Sequence, residues 1–145
     1  MATDANAKKI RLELVSPEKL LLAEDVTMVV MPGTEGQFGV LADHIPLVST
    51  LEPGPIDVYQ GNSVDHRIFV AGGFVEVDGE RCIVLAEDAM PVDKLDVDKV
   101  RQECRDLKED ISDASSDATR LLAQKKLAVA EAKLVTVTGD ILPQY

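Results

Sequence analysis

A β-sandwich or barrel followed by an antiparallel two-helix hairpin is the fold this sequence predicts. Three observations predict it. Eight of the nine glycines and six of the seven prolines lie before residue 93, punctuation that suits many short strands and turns and is absent from long helices. The apolar period is two before Pro91 and changes to steps of three and four after it. Phe74-Val75-Glu76-Val77, Asp78-Gly79 and Arg81-Cys82-Ile83-Val84-Leu85 read as two strands joined by the turn dipeptide that supplies the positive φ a tight hairpin requires.

The elements follow in order. Ile10, Leu12 and Leu14 alternate with Arg11 and Glu13, a half-buried strand. Val26 to Met31 is apolar apart from Thr27 and is stopped by Pro32-Gly33. Phe38 to Leu41, Leu47 to Leu51 and Ile56 to Tyr59 come next at short intervals, and Arg67 to Ala71 runs into Gly72-Gly73 ahead of the Asp-Gly hairpin. Strands so regularly spaced, with no helical period between them, make a sandwich or barrel. Val97, Val100, Cys104, Leu107 and Ile111 then form the stripe of a helix packed on one partner. Ser112 to Ser116 is a break with good N-cap residues, and Ala123, Leu127, Ala130, Leu134 and Val137 form a second stripe. So short a connection makes the two helices antiparallel. The expected domains are residues 1–92 and 93–145. The hairpin's stripe is partly alanine, so it buries little by itself and needs the sandwich or a partner to hold it.

Composition narrows the function classes. The 145 residues carry 26 acidic and 15 basic side chains, net −11. That balance speaks against nucleic acid and anionic membrane surfaces, which call for a basic footprint. The absence of Trp and 3% aromatics speak against base-stacking platforms and aromatic-lined pockets. Cys82 and Cys104 lack metal-ligand spacing, no apolar run reaches a membrane span, and the polar start from Met1 to Asn6 carries no secretory pattern, so an intracellular protein with reduced thiols is expected.

No catalytic constellation emerges. His44 and His66 are the two histidines; Asp43 precedes His44, and His66 is expected on a polar strand face. Gly33, Gly36 and Gly39 do not match a helix-opening phosphate loop and read as turn glycines. The loop Gly33 to Gly39 instead presents one acid, one amide and one aromatic on a rigid scaffold, which is the character of a contact surface. In the second helix Arg120, Lys125, Lys126 and Lys133 are offset after Asp117 by Glu131 alone, and such a basic face fits an acidic partner.

Several segments together resemble the epsilon subunit family of bacterial F-type ATP synthases, counterpart of the mitochondrial delta subunit. They are Leu12 to Pro17, Pro32 to Leu41, His44 to Leu47, Val70 to Val77 and Val84 to Ala89, in that order and spacing, with the helical hairpin after them. The resemblance covers nearly all of the sequence. It implies a sandwich of two five-stranded sheets and a C-terminal two-helix domain. It implies no catalysis, but a place in the rotor's central stalk, on the gamma subunit and the c-ring, where such a subunit couples proton-driven ring rotation to ATP synthesis. The location implied is peripheral, on the cytoplasmic face of the bacterial inner membrane, without insertion into it. Glu35, Gly36, Gln37 and Phe38, with His44 and Pro46, match the ring-facing end. In some members the hairpin extends between gamma and the catalytic alpha/beta hexamer and inhibits hydrolysis. Certain members also bind ATP through an Ile/Leu-Asp-x-x-Arg-Ala segment. The matching stretch here begins Leu95-Asp96 and places Lys99 where that arginine stands, with Asp98 adding repulsion toward phosphate. Lysine cannot reproduce a planar bidentate fork, so no cofactor is expected and ATP is an unsupported regulatory ligand. Two other classes compete: a stand-alone binding sandwich with an oligomerising hairpin, and a small hydrolase built on Asp43 and His44.

Overall fold

The computed structural model describes residues 8–139. The expectation for the Met1–Asn6 segment lies outside them. Ten strands are followed by two helices: β1 (Ile10–Val15), β2 (Leu20–Val26), β3 (Met28–Gly33), β4 (Gly36–Val40), β5 (Leu47–Leu51), β6 (Gly54–Gln60), β7 (Ser63–Val70), β8 (Gly73–Val77), β9 (Arg81–Ala86), β10 (Ala89–Pro91), α1 (Val97–Asp113) and α2 (Asp117–Thr138). One unit ends at Pro91 and the second begins at Val92.

The strands form a hydrogen-bonded ribbon in the order β10-β7-β6-β3-β5-β8-β9-β1-β2, with β4 on the free side of β3. It divides into two halves of five strands, linked at the single β3–β5 pair Gly33↔Leu51. The expected two sheets are therefore one ribbon folded over. Its inner faces share one core, in which Ile10, Leu12, Leu14, Val75, Val77 and Val84 of one half meet Val29, Met31, Val40, Ile56, Val58 and Val70 of the other. Within β1 the alternation read from the sequence holds: Ile10, Leu12 and Leu14 are buried.

Two strands are not marked by the sequence pattern. β2 has no clean alternation, since Leu20, Leu21 and Leu22 run together, and β10 is three residues long. The apolar run from Val26 to Met31 is split at Thr27, which separates β2 from β3 and donates its hydroxyl to the Tyr59 carbonyl at 2.8 Å.

The helices pack as the stripes require, with Val100, Cys104, Leu107 and Ala130 buried together and Leu127 and Leu134 against them. The break is shorter than expected, because α1 runs on to Asp113 and only Ala114 to Ser116 remain between the helices. Ser116 caps α2 in a reciprocal capping box with Thr119. Gly139 closes it at φ 72°, a left-handed conformation that suits glycine.

Candidate functional site

Two surfaces hold residues that the sequence singles out, and another is shown by the structure alone. The β3–β4 hairpin is the first. Gly33 and Gly36 face each other across the turn at Thr34-Glu35, with Gly36 at φ 115°. A shallow recess of about 280 Å³ is lined by Gly33 to Phe38 together with Leu47 and Ser49 of β5. Phe38 is half-buried and packs against the core, so Glu35 and Gln37 are the groups this end offers outward. A β-carbon on Gly33 would stand 2.9 Å from the Phe38 ring, and the ring's seat therefore depends on that glycine.

His44 follows β4, on the segment that leads into β5. The register pairs Gly33 with Gly36 and Val29 with Val40, so Gly36 and Val40 are separated by the length of β4, about 13 Å. Past Val40 the backbone turns at Asp43, φ 66°, whose N–H donates to the Gly79 carbonyl at 2.9 Å. Of the candidate ring-facing residues, Glu35, Gly36, Gln37 and Phe38 share the recess, and Pro46 adjoins it through Leu47. His44 lies two residues before Pro46, on the same connection between β4 and β5. Its Nδ1 contacts the Ile45 carbonyl at 2.7 Å, while the Asp43 carboxylate pairs with Lys8 at 2.9 Å. Each side chain thus has a partner of its own, and no hydrogen bond between Asp43 and His44 supports the hydrolase alternative among the described residues.

The second surface has no counterpart among the sequence expectations. On the outer side of β5, β8 and β9, Val48, Phe74 and Leu85 are exposed, Val48 by 73%. Phe74 stands directly across from Leu85 and from Thr50, and Leu85 from Val15 of β1. Thr50, Phe74, Leu85 and Val15 thus form a row across four neighbouring strands, and Val48 lies two residues along β5 from it, across from Glu76. The row's signal in the sequence is that Phe74 and Leu85 occupy the outward positions beside buried Val75 and Val84, where alternation calls for polar residues.

The third surface is the start of α1. Asp96 is the N-cap, its carboxylate accepting from the N–H groups of Asp98 at 3.0 Å and Lys99 at 3.2 Å. One of its oxygens is thereby committed to the helix end. On α2, Arg120 pairs with Asp117 at 2.9 Å and Lys133 with Glu103 of α1 at 3.7 Å. Lys125 and Lys126 are the exposed lysines that keep no ion pair among the described residues, so the outward basic face is narrower than the sequence suggests.

His66 is not on a polar face. It stands across from buried Val58 and so occupies an inward position of β7. Burial pushes the Cys82 thiol up to about 12. Burial also raises Cys104, with Glu131 and Glu103 adding to it. Both thiols are therefore protonated and poorly nucleophilic near neutral pH. The N–H groups of Arg81 and Glu80 lower the Asp78 carboxyl, fixing the β8–β9 turn.

Known proteins share this layout. Residues 9–92 match the family model of the β-sandwich domain of the ATP synthase delta/epsilon chain, and residues 96–142 match that of the C-terminal domain of the ATP synthase epsilon chain. An ATP synthase epsilon chain from Rhodospirillum centenum is 50% identical over 139 residues, covering 92% of this chain and 95% of its own. One from Paramagnetospirillum magneticum is 47% identical over 131 residues, covering 90% and 98%. A subunit in the Euglena gracilis mitochondrial ATP synthase (OSCP/F1/c-ring, rotational state 1) superposes with a TM-score of 0.77 at 22% identity, over 91% of this chain and 86% of that one. One in the central stalk/c-ring structure of the Tetrahymena thermophila mitochondrial enzyme gives 0.67 at 18% identity, over 90% and 98%. At those identities the structural likeness speaks for the fold.

Proposed function

The chain belongs to the ATP synthase epsilon chain family, and from that premise we propose how it works: as a non-catalytic rotor subunit of the central stalk. The observation that carries this reading is that the two epsilon-chain domains together span residues 9–142. The subunit's task is mechanical. Torque from the proton-driven ring passes through a stalk whose parts must not slip, and a sandwich closed around one core resists shear because its interior is close-packed.

In this reading the exposed apolar patch of Val48, Phe74 and Leu85, with half-buried Val15 beside Leu85, docks the gamma subunit, since such a patch gains by leaving water. The hairpin end at Glu35 and Gln37, with Pro46 beside it, meets polar loops of the c-ring. His44, two residues before Pro46, belongs to the same ring-facing end in this reading. Lys125 and Lys126 of α2 face acidic segments of the alpha/beta hexamer and restrain hydrolysis there. Nucleotide is not a resident ligand, because Asp96 is held by the helix end and Lys99 stands where the ATP-binding pattern has arginine. No helix among the described residues is long and apolar enough to cross a membrane. In this reading the working location is peripheral, on the cytoplasmic face of the inner membrane, as befits a subunit of the central stalk.

Co-elution of the full-length protein with the matching gamma subunit tests the reading. A stable complex that is lost when Phe74 and Leu85 are replaced by serine places the contact on the sandwich's outer row. No complex with the unaltered protein would overturn the rotor assignment.

A further inference from the structure

We propose that Glu24, Asp65 and His66 form a binding site for a divalent transition-metal ion, Zn²⁺ by the chemistry of its donors, that ties together two strands near the opposite ends of the folded ribbon. Glu24 lies on β2, the terminal strand at one end, and His66 on β7, next to the terminal strand at the other. Glu24 stands across from buried Leu12 and His66 across from buried Val58, so both occupy inward positions where the two halves come together. There His66 Nε2 meets Glu24 Oε1 at 2.6 Å and Asp65 Oδ2 at 3.3 Å. The three ligand atoms lie within 4.8 Å of one another.

Two carboxylates thus converge on one ring nitrogen. Carboxylates only accept, and a single Nε2 proton cannot serve both well. Neither carboxylate is paired with lysine or arginine among the described residues, so negative charge is left over at this point of a protein of net charge −11. A divalent cation replacing the proton would neutralise it. The spacing is close to what such an ion needs. Zinc–ligand bonds of about 2.0–2.1 Å put tetrahedral ligands about 3.3 Å apart, the Asp65–His66 separation as it stands. The Glu24–His66 distance has to open by about 0.7 Å, within reach of one glutamate rotation. One imidazole with two carboxylates suits Zn²⁺ over Mg²⁺ or Ca²⁺, which take all-oxygen sets. A water completes the shell, and the partial exposure of all three side chains leaves an entry path.

Zn²⁺ titration of the full-length protein in chelator-free buffer, followed by calorimetry and thermal unfolding, tests this. The expected result is one ion per protein molecule and a rise in Tm of about 5 °C or more at a hundred-fold excess over Kd. Co²⁺ in its place should give visible d–d bands of a tetrahedral site. His66→Gln, which keeps a hydrogen-bond donor toward Glu24, should weaken Zn²⁺ binding at least ten-fold and abolish the Tm rise. The exposed Asp65→Asn should do the same to a lesser degree should His66→Gln fold poorly, and His44→Gln should leave binding unchanged. The proposal is overturned by unchanged affinity in both His66→Gln and Asp65→Asn, by loss of binding in His44→Gln, or by the absence of any Tm rise in the unaltered protein.

Discussion

A β-carbon on Gly73 would stand 2.1 Å from the Leu85 carbonyl oxygen, closer than any real contact allows. At φ 146° Gly73 also holds a backbone conformation that other residues rarely adopt. It starts β8 at the point where the backbone leaving β7 passes to the other half of the ribbon, and it lies between Leu51 of β5 and Ala86 of β9. Gly73→Ala must separate β8 from β9 to relieve the clash. The expected loss is about 3 kcal/mol or more. Gly36→Ala meets no atom within 4 Å and should cost about 1 kcal/mol from its φ alone. Urea unfolding of both variants checks the ranking, and equal losses would refute it.

Phe74→Ser and Leu85→Ser should each weaken gamma binding by at least about ten-fold, since truncating a central apolar anchor costs over 1 kcal/mol. Stability should change by only about 0.5 kcal/mol, because both side chains already face water. Surface plasmon resonance beside thermal unfolding separates the two effects. A binding loss matched by an equal stability loss would mean that the row is structural.

Asp96 distinguishes a cap from a ligand. Asp96→Ala should remove about 1 kcal/mol from the helical hairpin, and Asp96→Asn should restore most of it, because the amide oxygen still accepts from the backbone. Calorimetry with millimolar Mg-ATP should show no heat for the unaltered protein. A saturable heat that Asp96→Asn abolishes would reassign the residue to nucleotide binding.

Alkaline stability follows from Cys82. Its thiol lies at about 12 in the folded protein against an ordinary 9.0. The folded state thus favours the neutral thiol. The associated stability is complete below pH 9 and declines as pH rises from 9 to 12. Cys82→Ala should start from a lower stability, having left a small cavity, and then fall less steeply across that window. Parallel curves from denaturant titrations in this range would show that the thiol does not contribute to the slope.

Charge reversal at Lys125 and Lys126 tests the regulatory face of α2. In the assembled enzyme, Lys125→Glu with Lys126→Glu should raise hydrolysis about five-fold, as expected if roughly 1 kcal/mol of pairing is lost. Lys133→Glu should act differently, by opposing Glu103 and loosening the hairpin. Unchanged hydrolysis in the double variant would remove these lysines from any restraint on the motor.

Much of this protein is legible from residue order alone. Periodicity locates β1, β8, β9 and both helices because it records which side chains must leave water, and Pro91 marks where the period changes. Asp78-Gly79 specifies its turn, because the side chain and the positive φ are both local. Ser116 caps its helix for the same reason. β2 escapes the pattern because Leu20, Leu21 and Leu22 do not alternate on an edge strand that is only partly covered. His66 lies on the opposite face from the one its polarity suggests, because inward positions near the ends of the ribbon reach solvent and accept polar groups. The sequence by itself determined the element types, the two-part organisation and the family, all of which follow from local chemistry and its spacing. Only the tertiary structure decided that the ribbon folds over through one β3–β5 pair, that Glu24 and Asp65 meet His66, and that Val15, Leu85 and Phe74 line up across three strands beside Val48. Those relations depend on register between segments far apart in the sequence, and register is set by which faces the whole core buries together.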